Sequence, residues 1–313
     1  MKILYLFDLT AAMKKIIVLA ISFLLLATQY SQACLNYYVI DSSGRRHMHD
    51  DHPISNLDLN SEYDLKRLKE LEQEIKKSSG NRRFEYVSDY CAFLIKLGRS
   101  RDALPILENL LKQKPNEYTL NANIAVALEL LGEPERALEY LRKSLKLQPD
   151  SHYNSEWFHE RILEAAVLQK KGKTSFQSMN ILKLSRRDSL KKITEISYQL
   201  RERVPLTPSP NPLLSKVLTE CADFFRSSLS LEWAIDLYAI AIGYTADQPA
   251  IDNLWKQINI CRTRLVELRK TGKEGSVSKY LYKSSWTKEV TKQINDWKDY
   301  KPYHYTGQIL TAI

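Results

Sequence analysis

The chain has 313 residues, room for one or two domains, and its 44% hydrophobic and 27% charged residues are the balance of a soluble globular protein. Nine glycines in this length argue against a glycine-rich phosphate-binding fold. The 46 basic against 37 acidic residues, a formal charge of +9, permit weak attraction to acidic surfaces without specifying nucleic acid.

At the N-terminus, Lys14 and Lys15 precede the apolar run Ile16 to Ala27, interrupted only by Ser22. A polar stretch and the small residues Ser31 and Ala33 follow. This layout predicts a cleavable signal peptide over 1–33, with Met13 as an alternative start. The apolar run is too short to cross a bilayer core of ~30 Å as a helix. Cleavage after Ala33 would make Cys34 the new terminus and a candidate for lipidation, although Ser31 stands where a lipobox usually has Leu.

Residues 34–59 read as a flexible, non-helical leader. It holds the one ligand-dense stretch, with His47, His49, Asp50, Asp51 and His52. Imidazoles there suit zinc, nickel or copper. The spacing fits no helix-borne metal motif, so His47, His49 and His52 are a candidate metal set set against a solvated linker. Residues 60–77 predict an amphipathic helix with Leu65, Leu68, Leu71 and Ile75 on one face.

The strongest signal is self-similarity at 34 residues. Between 84–117 and 118–151, nine of 34 positions are identical without a gap. Leu94, Leu97, Gly98, Ala103, Leu104, Leu107, Leu111, Lys112 and Pro115 recur as Leu128, Leu131, Gly132, Ala137, Leu138, Leu141, Leu145, Lys146 and Pro149. Gly98 and Gly132 can take the left-handed conformation that ends a first helix. Ser100 and Pro134 can open a second one, and Pro115 and Pro149 stop it. Ala103 and Ala137, with Cys91 and Ala125 twelve residues earlier, are small where the two helices of a hairpin approach.

These residues resemble the tetratricopeptide repeat family, whose unit has a small residue at position 8, Gly near 15, Ala at 20 and Pro at 32. The resemblance implies an all-α solenoid of helical hairpins. The two clear units lie in a helical domain over 60–203. A degenerate third unit starts at Ser215, with Ala222 and Ala234 at the small positions, Cys221 beside the first and Leu229 in place of Gly. In the strict register after 151, His159 and Lys171 occupy the small positions. Residues 155–171 are therefore expected to be a single apolar helix that caps or bridges.

Residues 176–203 read as a basic helix. Four prolines between Pro205 and Pro212 predict an extended spacer and a subdomain boundary at 204–212. Residues 213–270 resume the helical pattern. Residues 271–313 form a tail of lysines interleaved with Tyr and Trp, expected to be a helix that docks on the preceding hairpin or faces a partner, with a lipid headgroup region less favoured and nucleic acid least.

No nucleophile elbow, P-loop or dinucleotide fingerprint is present, and His152 and His159 flank Trp157 without an evident catalytic partner. The resemblance implies an interaction scaffold and not an enzyme, with no cofactor. Its groove would bind a peptide or helix of another protein through Glu85, Ser88, Ala92, Ile95, Thr119, Ala122, Val126 and Glu129. The Lys/Asn pattern that clamps a C-terminal carboxylate is missing at Ser88 and Ala92. The chain also resembles exported repeat proteins of Gram-negative bacteria, which implies a periplasmic or cell-envelope location and leaves room for membrane attachment. The alternatives are a metal-binding or catalytic exported protein using the histidine leader, and a lipid-anchored assembly factor.

Overall fold

Gly98 and Gly132 adopt φ of 72° and 78° in a computed structural model of the chain, and each ends a helix in the same way. The Gly98 N–H bonds Ile95 O at 3.0 Å and the Arg99 N–H bonds Leu94 O at 2.8 Å. Gly132 and Glu133 repeat this with Glu129 and Leu128 at 2.9 Å each. This paired bonding satisfies carbonyls that a helix end would leave orphaned. It sets up two consecutive hairpins. Helices α2 (Gly80–Lys96) and α3 (Ser100–Gln113) form the first, and α4 (Tyr118–Leu130) and α5 (Pro134–Leu147) the second. Cys91, Ala103, Ala125 and Ala137 are fully buried where these helices nest. Each helix packs on the next, and α2 also touches α4. The structure describes residues 37–49, 61–185, 190–272, 280, 286–311 and 313. The chain divides into units Met1–Tyr37 and Tyr38–Ile313, and the fold described is that of the second.

Before the repeats, α1 (Ser61–Lys77) lays Leu68, Leu71 and Ile75 into the core against α2. After them, the turn Ser151–Asn154 leads into α6 (Glu156–Lys170), which stacks on α5. At its end Gly172, with φ of 66°, makes the same cap: its N–H bonds Gln169 O at 2.9 Å and that of Lys173 bonds Leu168 O at 3.1 Å. Ala165 lies seven residues before Gly172, as Cys91 does before Gly98. Helix α6 is thus the first helix of a third unit. Gly172 follows Gly132 by 40 residues instead of 34 because the 4-residue turn Ser151–Asn154 is inserted and α6, at 15 residues, is longer than α4, at 13, and this hid the register from strict counting.

Among the described residues, the chain after Gly172 does not turn directly into a second helix. Residues expected to be helical from 176 instead make a 3-10 turn, Phe176–Ser178, and irregular chain to Ser185, and the basic helix α7 is described over Leu190–Leu206. Ile181 and Leu182 are buried, and their N–H groups donate to the Glu220 carboxylate at 2.9 and 2.7 Å. A side chain here replaces the bonds a helix would supply.

The extended spacer expected at 204–212 is a tight turn inside one continuous core. Pro205 sits in the last turn of α7, and Pro212 opens α8 (Pro212–Ser228) with Asn211 as its N-cap. Proline is favoured where α8 begins, and near the end of α7 Pro205 removes a helix donor just where that helix stops. The carbonyls that α7 leaves open accept hydroxyls: Tyr244 on Val204 and Thr207 at 3.1 and 3.2 Å, and Tyr300 on Pro205 at 2.8 Å. Val204 and Leu214, on either side of the turn, belong to the same apolar cluster. Helix α8 pairs with α9 (Leu231–Gly243) as the degenerate hairpin, with Ala222 and Ala234 fully buried. Ser230 caps α9, a cap that serves where Leu229 replaces glycine. Helices α10 (Gln248–Lys270) and α11 (Trp286–Asp299) flank α9 on further sides.

The leader is more ordered than expected. Strands β1 (Tyr37–Ile40) and β2 (Arg46–His49) form a hairpin, whose turn is held by Asp41 accepting from Ser43 and Arg45 N–H at 2.8 and 3.1 Å. Its tip is tied to the helices: Ser42 N–H donates to Arg226 O at 3.0 Å, and Arg264 Nε donates to Ser42 O at 3.0 Å. The signal peptide, Cys34 and His52 lie outside the described residues. So do the side chains of His47 and His49.

Candidate functional groove

The first helices of the repeats stand side by side, so one face of α2 and one of α4 look the same way. Ala92, Ile95 and Lys96 from α2 and Asn123, Val126, Glu129 and Leu130 from α4 line a cavity of 210 Å³. Its far wall is built by His152, Glu156 and His159, and its roof by α7 through Tyr198, Gln199, Glu202, Arg203 and Leu206. Four of the eight expected groove residues therefore converge: Ala92, Ile95, Val126 and Glu129. Glu85 and Thr119 are exposed, Ser88 is buried and Ala122 half-buried, all outside this cavity.

Glu129 is the hub. Its Oε2 accepts from His159 Nε2 at 2.7 Å and faces Arg203 Nη2 at 3.3 Å, while Oε1 accepts from Arg203 Nη1. Burial alone would raise the Glu129 pKa, but the Arg203 and His159 charges and hydrogen bonds hold it down to about 2. Glu156 behaves alike. Burial works against its charge, yet the hydrogen bond from His152 and the His159 imidazole 3.6 Å away keep it at about 2. The imidazoles are the other half of each pair. For His159 burial opposes protonation and Glu129 overrides it; for His152 the bond to Glu156 dominates; both pKa values rise. The cluster links α4, α6 and α7, and its members are distant in sequence. Glu129 was readable as a groove position. No sequence spacing marked its partners.

His152, Tyr153 and Asn154 have φ of 48°, 58° and 64°, three successive non-glycine residues in the left-handed region. Each such residue costs about 1–2 kcal/mol. The His152 ring stacks on Tyr198, centroids 5.2 Å apart. Strain of this kind persists where the surroundings enforce it, and it gathers at binding sites.

The tail docks, as a helix and then as an extended segment. Trp297 of α11 packs on Gly243 and stands 6.1 Å from Tyr244, ring to ring. Beyond it, Tyr305 N–H donates to Leu97 O at 2.9 Å, Arg99 Nη1 donates to Tyr305 O and Gly307 O at 2.8 and 3.0 Å, and Leu310 N–H donates to Tyr90 OH at 2.9 Å. Tyr305, Ile309, Leu310 and Ile313 pack on the core of the first hairpin. Cys91, Cys221 and Cys261 are buried free thiols, and burial pushes the Cys91 and Cys261 thiols up to about 12.

Among the described residues no group of three His, Cys, Asp or Glu is placed to hold a metal ion. A larger depression of 860 Å³ lies beside Ser42, Arg226, Trp255 and Arg264, away from the buried charges of the groove. Residues 94–155 match the family model for the tetratricopeptide repeat. No curated protein and no solved structure is significantly similar to the chain.

Proposed function

Because the chain is a tetratricopeptide repeat protein, we propose that it is an interaction scaffold whose groove between α2, α4, α6 and α7 receives a segment of another protein. The observation that carries this reading is the convergence of Ala92, Ile95, Val126 and Glu129 on one cavity. Apolar walls with a few placed polar groups are the general character of a binding site. The family fold is typically that of a non-catalytic scaffold, and the scaffold reading needs no cofactor. With two full repeats the groove is short, so affinity depends on a few well-seated anchors and not on total area.

The proposal includes export. The basic, apolar and small-residue sequence of 1–33 supports removal of that segment and residence in a bacterial cell envelope. No helix among the described residues is long and apolar enough to cross a membrane. Sequencing the mature N-terminus tests export: a start at Cys34 supports it, and an intact Met1 or Met13 overturns it.

Affinity capture with wild type and Val126→Arg tests the groove. Val126 is half-buried in the cavity wall, so the long cation fills the cavity without entering the core. Wild type should retain a partner that the folded variant loses. Equal recovery by both would place the binding surface elsewhere.

A further inference from the structure

The apolar interior is two clusters and not one. Helices α1 to α5 enclose the first, with Leu68, Leu94 and Ile124 among its buried residues, and α7 to α11 enclose the second. They meet along α6, where Leu163 belongs to the first and Phe158 and Ile162 to the second. The groove lies over this seam. Ala92 and Val126 come from helices of the first half and Tyr198 and Arg203 from α7 of the second, and the Glu129–Arg203 pair bridges the two. At 210 Å³ the cavity is smaller than the roughly 300–1,000 Å³ that encloses a drug-sized ligand. A partner segment of several residues therefore needs the walls to part.

The C-terminal segment ties the two halves together. Val290 and Ile294 of α11 are buried in the second cluster. Tyr300 Oη donates to Pro205 O at 2.8 Å and Lys301 Nζ to Ser209 O at 2.5 Å, which anchors the segment to the same half. By Tyr305 it has reached the other half, where its N–H donates to Leu97 O and Arg99 donates to Tyr305 O and Gly307 O. On the way, Tyr300 and Tyr303 line a smaller cleft with Lys96, Glu202 and Leu206, and these last three also line the groove. The segment thus crosses the seam beside the groove. Its grip is uneven. Pro302 is buried, but beyond it every described residue is exposed or half-buried. A terminal segment held in this way leaves its seat without opening a core.

We infer that residues 304–313 are a releasable strap that holds the groove narrow, and that its release lets the two halves part about α6 to admit the partner segment. This inference rests on the reading of the groove as a partner site and adds the gate of that site. The apparent affinity for the partner is then lowered by the fraction of molecules whose strap is still seated.

The test reads the rate at which Val126→Cys, in the groove wall, reacts with fluorescein maleimide, which is bulky, and with methyl methanethiosulfonate, which is small. Mass spectrometry of the fragment that carries position 126 separates its labelling from that of the native thiols. Removing residues 304–313 should speed the bulky reagent about tenfold or more with little change for the small one. An excess of a peptide of residues 304–313 should slow it again. Arg99→Gln, which removes the donors to Tyr305 and Gly307 and keeps every core side chain, should speed it several-fold. Equal rates for the bulky reagent in the full chain, the truncated chain and Arg99→Gln overturn the strap. So does acceleration of both reagents together, the mark of a loosened fold. Affinity capture separates this outcome from the groove reading: the truncated chain should retain several-fold more partner than the full one. Equal labelling rates with capture still lost in Val126→Arg overturn the strap and leave the groove reading standing. Capture indifferent to Val126→Arg in full and truncated chains alike overturns both.

Discussion

Arg203 and Glu129 are 74 positions apart in the chain and meet across the groove, with Nη2 and Oε2 3.3 Å apart. Their side chains are 14% and 18% exposed, so the pair is largely withdrawn from water. It holds α7 over the face that the repeats present. Removing Arg203 leaves the buried Glu129 carboxylate with His159 alone, whereas removing Glu129 as well lets the His159 imidazole be neutral. Arg203→Met should lower the unfolding free energy by about 3 kcal/mol, and the double change Glu129→Leu with Arg203→Met should recover most of it. Urea unfolding measures both. Equal loss in the single and double variants would show that the pair does not work as a unit.

The same cluster sets a pH dependence. Glu129 and Glu156 have folded values of about 2, below the unfolded value of ~4.3. Their contribution is present above ~4.3 and lost as pH falls towards about 2. His152 and His159 are shifted upward. Theirs is full below the unfolded ~6.5 and lost as pH rises through the folded values. Glu232 adds to the alkaline side, because burial lifts it to about 7. Between ~4.3 and that value the unfolded chain is ionised while the folded one holds its proton, so stability falls as pH rises. Stability should therefore peak near pH ~5. Melting curves of His159→Gln should decline less steeply above pH ~6.5 than wild type, and Glu232→Gln should gain more at pH 8 than at pH 5. A wild-type optimum well above neutrality would contradict this balance.

Gly98 and Gly132 share a left-handed backbone but not their surroundings. A Cβ at Gly132 meets nothing within 4 Å, whereas one at Gly98 overlaps the His304 imidazole. Gly132→Ala should cost about 1 kcal/mol from conformation alone, and Gly98→Ala more, because it also pushes the tail away. Removing residues 304–313 should bring the two penalties together. Thermal unfolding of the four variants checks this, and an unchanged difference after truncation would place the tail elsewhere.

The truncation has an effect of its own. It uncovers Tyr90 and the apolar edge that Tyr305, Ile309, Leu310 and Ile313 cover. Burying an apolar side chain is worth about 1.5–3 kcal/mol when complete, and these four are only partly buried. A loss of roughly 3 kcal/mol is expected in denaturant unfolding. No change in stability would mean that the tail adds no net binding energy.

The repeats were readable because hairpin packing writes its demands locally. A glycine must end the first helix and small residues must line the contact, so Gly98, Ala103, Gly132 and Ala137 declare themselves at a fixed spacing. The third unit escaped because three left-handed residues without glycine, His152 to Asn154, shift its register. The prolines at 205–212 misled because proline at a helix end reads like proline in a spacer until Tyr244 and Tyr300 are seen capping the chain between. The docked tail and the Glu129 cluster depend on contacts between distant segments, for which one sequence carries no spacing rule. Half of the expected groove positions converge, because α7 covers only one end of the first-helix face.

Site-specific photo-cross-linking in the native cell tests whether the groove seats another protein. A benzophenone side chain placed at Val126, in the cavity wall, is compared with one at the exposed Lys143 on second helix α5. A discrete adduct with another protein is expected from position 126 and none from position 143. Adducts from 143 alone, or identical adducts from both positions, would contradict it.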